Sequence, residues 1–204
     1  YASQILQYAN DMKITVARLR MTNECTDAEI SFAHDSDQDG DVDSNDDYHN
    51  DDSPAKCQVF HFQGGNIKRD DFSPEIYASP SSVTGAQNYG ELFFTGDAEV
   101  AGVGTSCIAT GESECKELVM IVPYLTEELC RAINKKLSIA ITSFASEDIT
   151  GLTGADADRF TGTYPAQSNA GIGDEESALF DRYSGCMYRA SQTAYSFYHV
   201  LIAR

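Results

Sequence analysis

Apolar side chains recur at Ile5, Ala9, Met12, Val16 and Leu19, in steps of four, three, four and three. At 3.6 residues per turn that spacing collects them on one face, so residues 1–22 predict an amphipathic helix. No capping residue precedes it. The helix either frays at its start or continues a longer one.

Beyond residue 52 the pattern changes to short runs rich in β-branched and aromatic residues, bounded by turn formers. "KCQVFHF" (56–62), "GELFFTG" (90–96), "ELVMIVPY" (117–124) and "AYSFYHVLIAR" (194–204) predict strands. "FQGGNIK" and "IATGESEC" predict tight turns between them. In the last run Tyr195, Phe197 and His199 alternate with Ser196, Tyr198 and Val200, which predicts a strand buried on one face. "LTEELCRAINKKL" returns to helical spacing through Leu125, Leu129, Ile133 and Leu137, with acids in its first turn and lysines in its last, matching the helix dipole. A shorter helix is expected around "DEESALFDRYSG", and residues 144–173 read mostly as loop.

Strands clustered after a long helix, rather than alternating with helices, predict an α+β fold with the first helix packed on an antiparallel sheet. At 204 residues the chain suits one domain: helix 1–22, an acidic loop 34–52 and a sheet-rich head 56–204. No internal repeat is evident.

Composition narrows the class. Fourteen Lys and Arg stand against thirty-two Asp and Glu, a formal net charge of -18. Such a chain lacks the cations that release counterions from nucleic acid or an anionic membrane surface. Six cysteines, Cys25, Cys57, Cys107, Cys115, Cys130 and Cys186, include no C-x-x-C pair. Three disulfides in an oxidising compartment are expected. The spacing suggests the sequential pairs 25 with 57, 107 with 115 and 130 with 186, among the fifteen connectivities that six cysteines allow. A secretion signal, which the cysteines imply, is expected to have been removed. No run reaches the roughly twenty apolar residues of a membrane span.

The segment "HDSDQDGDVDSNDDYHNDD" (34–52) packs nine aspartates into the eighteen positions from Asp35 to Asp52. Counting from Asp35, acids fall at positions 1, 3, 5, 7, 9 and 12, namely Asp35, Asp37, Asp39, Asp41, Asp43 and Asp46. Gly40 holds position 6 and Val42 position 8. A calcium loop needs oxygen ligands at those positions, with a backbone carbonyl from position 7 and a glycine for the sharp turn. Runs of like charge are usually solvated and disordered, but such a run does not explain this register. We therefore expect Ca2+, held by those six aspartates. The flanks "AEISFA" and "DYHNDDSPAK" are not helical, which excludes a helix-loop-helix sensor. Over this dozen residues the loop resembles those of dockerins and thrombospondin type 3 repeats, which also carry Asp at position 12.

Other chemistry is sparse. His34, His49, His61 and His199 show no metal-ligand spacing, and neither a nucleophile elbow nor a P-loop occurs. Asp156 and Asp158 in "TGADADRF" offer a second cation site or, more simply, a polar loop. No catalytic residue is expected.

Three stretches, "ASQILQYANDMKITVARLRMTNECTDAEISF", "ELVMIVPYLTEELCRAINKKL" and "YSFYHVLIAR", are similar to the pilin-like proteins of Gram-negative bacteria, the type IV pilins and pseudopilins. The resemblance implies a non-enzymatic filament subunit, exported to the periplasm or cell surface, with other pilin or pseudopilin subunits as partners. It also implies an apolar membrane-anchoring segment upstream of the first helix, and a calcium-stabilised head. A secreted calcium-dependent adhesin or carbohydrate-binding module is the alternative. A secreted hydrolase is a weaker third reading.

Overall fold

The computed structural model describes residues 1–36, 42–44, 47–69, 72–84, 89–105, 116–147, 159–165 and 171–204. Helix α1 runs over Ala2–Thr22. Ala, Leu, Met, Gln, Lys and Arg are good helix formers, and the expected stripe of Ile5, Ala9, Met12, Val16 and Leu19 is fully buried. At its end Glu24 adopts a left-handed conformation, and the Cys25 N–H turns back to the Leu19 carbonyl at 3.2 Å. That reversal presents Cys25 to Cys57, to which it is bonded.

Strands β1 (Phe93–Val100), β2 (Glu117–Leu125), β3 (Gly171–Ile172), β4 (Ser184–Arg189) and β5 (Ala194–Ile202) form one sheet in the order β3-β1-β2-β5-β4. The sheet is mixed rather than purely antiparallel, because the two-residue edge strand β3 runs parallel to β1. The other three pairings are antiparallel. All nine residues of β2 are buried, since one face lies under α1 while the other is covered by Ile139, Ile172 and Leu179. The same two-sided cover corrects the one-faced reading of β5: Phe197 joins the α1 side and Tyr198 and Val200 the opposite side.

Helix α2 covers Glu127–Lys136. Thr126 caps it by accepting the Leu129 N–H, and the expected acids and lysines occupy its two ends. It joins the sheet at β4 through the Cys130–Cys186 disulfide. Two of the three sequential disulfides are thus present, and Cys107 and Cys115 lie outside the described residues, as does the predicted turn "IATGESEC".

Two expectations fail for identifiable reasons. Residues 56–62 form no strand. Ala55–Cys57 is a 3₁₀ turn, Gln58 makes a single parallel bridge with Ser31, and the chain then folds back so that the Gly64 and Asn66 N–H groups both reach the His61 carbonyl. A Cβ on Gly65 would stand 2.1 Å from the Val59 carbonyl oxygen, so this reversal requires glycine. Residues 174–185 hold only a 3₁₀ turn at Ser177–Leu179. From Ser184 the chain becomes β4, whose hydrogen bonds to β5 outweigh its weak local pattern.

Candidate metal centre

The acidic segment leaves the sheet-covering core between two anchored ends. Upstream, Ser31 and Phe32 are buried, and the Ser31 hydroxyl donates to the Tyr48 carbonyl at 3.1 Å. Downstream, Tyr48 is buried with a left-handed φ of 63°. Its hydroxyl donates to the Leu92 carbonyl at 3.2 Å and accepts the Phe94 N–H at 3.3 Å, tying the segment to β1. Burial raises the Tyr48 phenol well above its ordinary pKa, so it stays a neutral donor. The Asn50 amide donates to the Ala28 carbonyl at 2.8 Å.

Between these anchors the Asp47 N–H donates to the Ser36 hydroxyl at 2.9 Å. That bond brings together the second residue of the twelve-residue pattern and the residue just after its end. Arg159 braces the same end, 2.8 Å from the Asp47 carboxylate and 3.4 Å from Glu91, with its guanidinium over the Tyr48 ring. A closed base of this kind suits a loop that folds its carboxylates inward on a hard cation, which takes six to eight oxygens.

Of the six expected ligands, Asp35 and Asp43 fall within the described residues, Asp35 exposed and Asp43 half-buried. Asp37, Asp39, Asp41 and Asp46 lie outside them, as do Asp156 and Asp158. Val42, at the position where a calcium loop places an aliphatic side chain, is 42% exposed rather than packed inward.

The fold also assembles a carboxylate trio that the sequence reading missed. One ligand atom from each of Glu147, Asp174 and Glu175 falls within 4.8 Å of the others. Glu147 is wholly buried and accepts the Gly173 and Glu176 N–H groups at 2.8 and 2.7 Å. Burial still pushes its pKa up. Hydrogen bonding to Asp174 raises Glu175 to about 8. Two of the three carboxyls, Glu147 and Glu175, are therefore biased toward the neutral form, which makes the trio a weaker cation site than a set of ionised carboxylates. It fixes the 171–176 turn to the strand-like Ser146–Glu147 segment, which pairs with Tyr188. "DEES" looked like a helix start, and Glu147 lies in a polar run, so nothing local linked them.

The four histidines gather no metal site among the described residues. His49 pairs with Asp51 at 3.0 Å, and His34 contacts the Phe32 carbonyl at 3.1 Å. His199 is buried in β5.

No family model matches the chain, and no similar curated protein or solved structure was found.

Proposed function

We propose that this chain is a non-enzymatic structural subunit of a type IV pilus-like filament or a type II secretion pseudopilus, its head stabilised by Ca2+ in segment 34–52. The observation that carries this reading is the two-sided character of α1. Its inner stripe is buried on the sheet, yet its outer face exposes Ile14 (58%) and Met21 (84%), two turns apart. A groove of ≈ 510 Å³ lined by Ala17, Arg20, Met21 and Cys25 runs beside the latter. A helix that buries one apolar stripe and exposes two large apolar side chains on its otherwise polar outer face suits one that holds its own head and also meets a neighbouring subunit.

The two disulfides fit export to an oxidising compartment. Among the described residues no helix is long and apolar enough to cross a membrane. Membrane anchoring in this reading therefore falls to a segment upstream of Tyr1, and the partners are other pilin or pseudopilin subunits.

The test is made in the producing cells. Surface filaments are sheared off, and immunogold labelling and immunoblotting ask whether this chain is part of them. Wild-type chain in the filament fraction, with Ile14→Asp and Met21→Asp variants folded but missing from it, is the expected result. Normal filaments or secretion in cells lacking the chain, with the protein found only free in the medium, would overturn the reading.

A further inference from the structure

The end of α2 reverses the sign of an otherwise acidic molecule. Arg131 and Lys135 line a groove of ≈ 420 Å³ between α2 and the segment that follows it, and none of the described residues lining it is acidic. Ile139, Ile141 and Phe144 give it an apolar floor, and Ser138 adds a hydroxyl. Arg131 is held by Glu127 at 2.8 Å and lies over the Phe144 ring. Lys135 and Lys136 are exposed, and their ammonium groups have no ion pair or hydrogen bond among the described residues. The helix dipole accounts for lysines in a last turn, but not for an apolar trough beside them.

A complementary surface lies on the same chain. Val42 is exposed at 42%, flanked in sequence by Asp41 and Asp43, with exposed Asp51 and Asp52 nearby in the segment. An aliphatic side chain between carboxylates matches an apolar floor between cations. Within one copy the two surfaces are anchored toward different edges of the sheet. The acidic segment is bonded to β1 through Tyr48, whereas α2 is bonded to β4 through Cys186. In the order β3-β1-β2-β5-β4 these strands are three spacings apart, about 14 Å at the usual interstrand distance.

We infer that the α2 groove is a docking site for the acidic segment of a second copy of this chain, with Val42 on the Ile139–Ile141 floor and aspartates against Lys135 and Lys136. Because the two surfaces differ and are anchored toward different edges of the sheet, the contact is heterologous and leaves a free surface of each kind for the next copy. Charge sets its orientation and encounter rate, while the seated Val42 distinguishes it from general attraction. The inference rests on the groove and the acidic segment alone, so its failure leaves the filament reading, tested in cells through the α1 face, where it stands.

Isotope-labelled and unlabelled full chains are mixed and coupled with a zero-length carbodiimide, and mixed-label peptides are mapped by mass spectrometry. The expected joins link Lys135 or Lys136 of one copy to Asp43, Asp51 or Asp52 of the other. Val42→Ser keeps every charge and should lower their yield by roughly tenfold, the loss of about 1.4 kcal/mol of association. In sedimentation, Lys135→Glu should reduce association while leaving the melting temperature unchanged. Joins confined to single copies, no joins, or mixed joins at full yield in Val42→Ser would overturn the inference, as would undiminished association of Lys135→Glu.

Discussion

Asn134 and Cys186 are joined by two hydrogen bonds, the Asn134 amide donating to the Cys186 carbonyl at 2.8 Å and its oxygen accepting the Cys186 N–H at 2.8 Å. Cys186 is also bonded to Cys130, one turn earlier on α2. A polar side chain thus completes the backbone of the sheet edge strand where the helix is covalently fastened. Both groups are buried, so Asn134→Leu leaves a donor and an acceptor without partners. We expect a loss on the order of 2–4 kcal/mol, read by urea denaturation with the disulfides intact. A cost no larger than that of an exposed substitution would show that β4 finds other partners.

Two buried groups should make stability depend on pH in opposite directions. His199 is 9% exposed, and neither ring nitrogen has a hydrogen-bond partner among the described residues. Met120 on β2 and Ser184 on β4 stand opposite it, and Lys13 acts on it from α1. Burial first, then the Lys13 charge, pushes it from 6.5 to about 4. The unfolded chain therefore binds the proton first as pH falls. The contribution is whole above 6.5 and lost on descent to about 4, costing up to about 3 kcal/mol.

Glu117 has the reverse sign. Its side chain is wholly buried, one oxygen accepts the Val100 N–H at 2.9 Å and the other has no partner among the described residues. Burial raises it from 4.5 to about 8. Its contribution is whole below 4.5 and lost as pH rises toward 8. Stability against pH is compared between wild type, His199→Leu and Glu117→Gln. The first variant should remove an acid-side decline and the second a decline toward alkaline pH. Curves parallel to wild type across both windows would refute the assignment.

The long elements were legible because their own residues carry the signal. Ile5 to Leu19 repeat at the helical period, and Glu117–Leu125 is an uninterrupted apolar run after its first residue, so α1 and β2 follow from local pattern. Strand β4 was not legible: Gly185 and Arg189 weaken "SGCMYR" as a strand. Its strand character comes from β5, and Arg189 tolerates burial because its guanidinium donates to Gln192 at 2.7 Å. "KCQVFHF" had the right composition and the wrong context, since one disulfide and one bridge hold it without a ladder, leaving Phe62 72% exposed. The register of the acidic segment was readable, whereas the link between Glu147 and Asp174 depends on tertiary folding that no local spacing encodes.

The two faces of α1 should separate stability from assembly. Leu19→Ala removes a fully buried side chain and should cost about 2–5 kcal/mol. Ile14→Asp, on the exposed side, should stay within about 0.5 kcal/mol of wild type. Chemical denaturation of the two variants checks this. A cost at Ile14 matching that at Leu19 would mean that the outer face is also packed in the isolated chain, removing the surface the filament reading requires.

Calcium is the remaining prediction, and two carboxylate clusters compete for it. Segment 34–52 carries nine aspartates in its sequence, and Ser36 and Asp47 are hydrogen-bonded to each other, whereas in the trio with Asp174, Glu147 already accepts backbone N–H groups and both Glu147 and Glu175 have raised carboxyl pKa values. Binding to the native state raises the melting temperature by mass action. For a site of ~0.1 mM affinity, about 1 mM Ca2+ contributes about 1.4 kcal/mol, a rise of roughly 3–6 °C for a chain of this size. Thermal unfolding is recorded with Ca2+ and with excess chelator. The rise should vanish in Asp39→Ala, shrink in Asp43→Ala and persist in Glu175→Gln. A rise lost only in Glu175→Gln would transfer the ion to the trio, and no rise in the wild type would leave segment 34–52 a solvated acidic loop at that concentration.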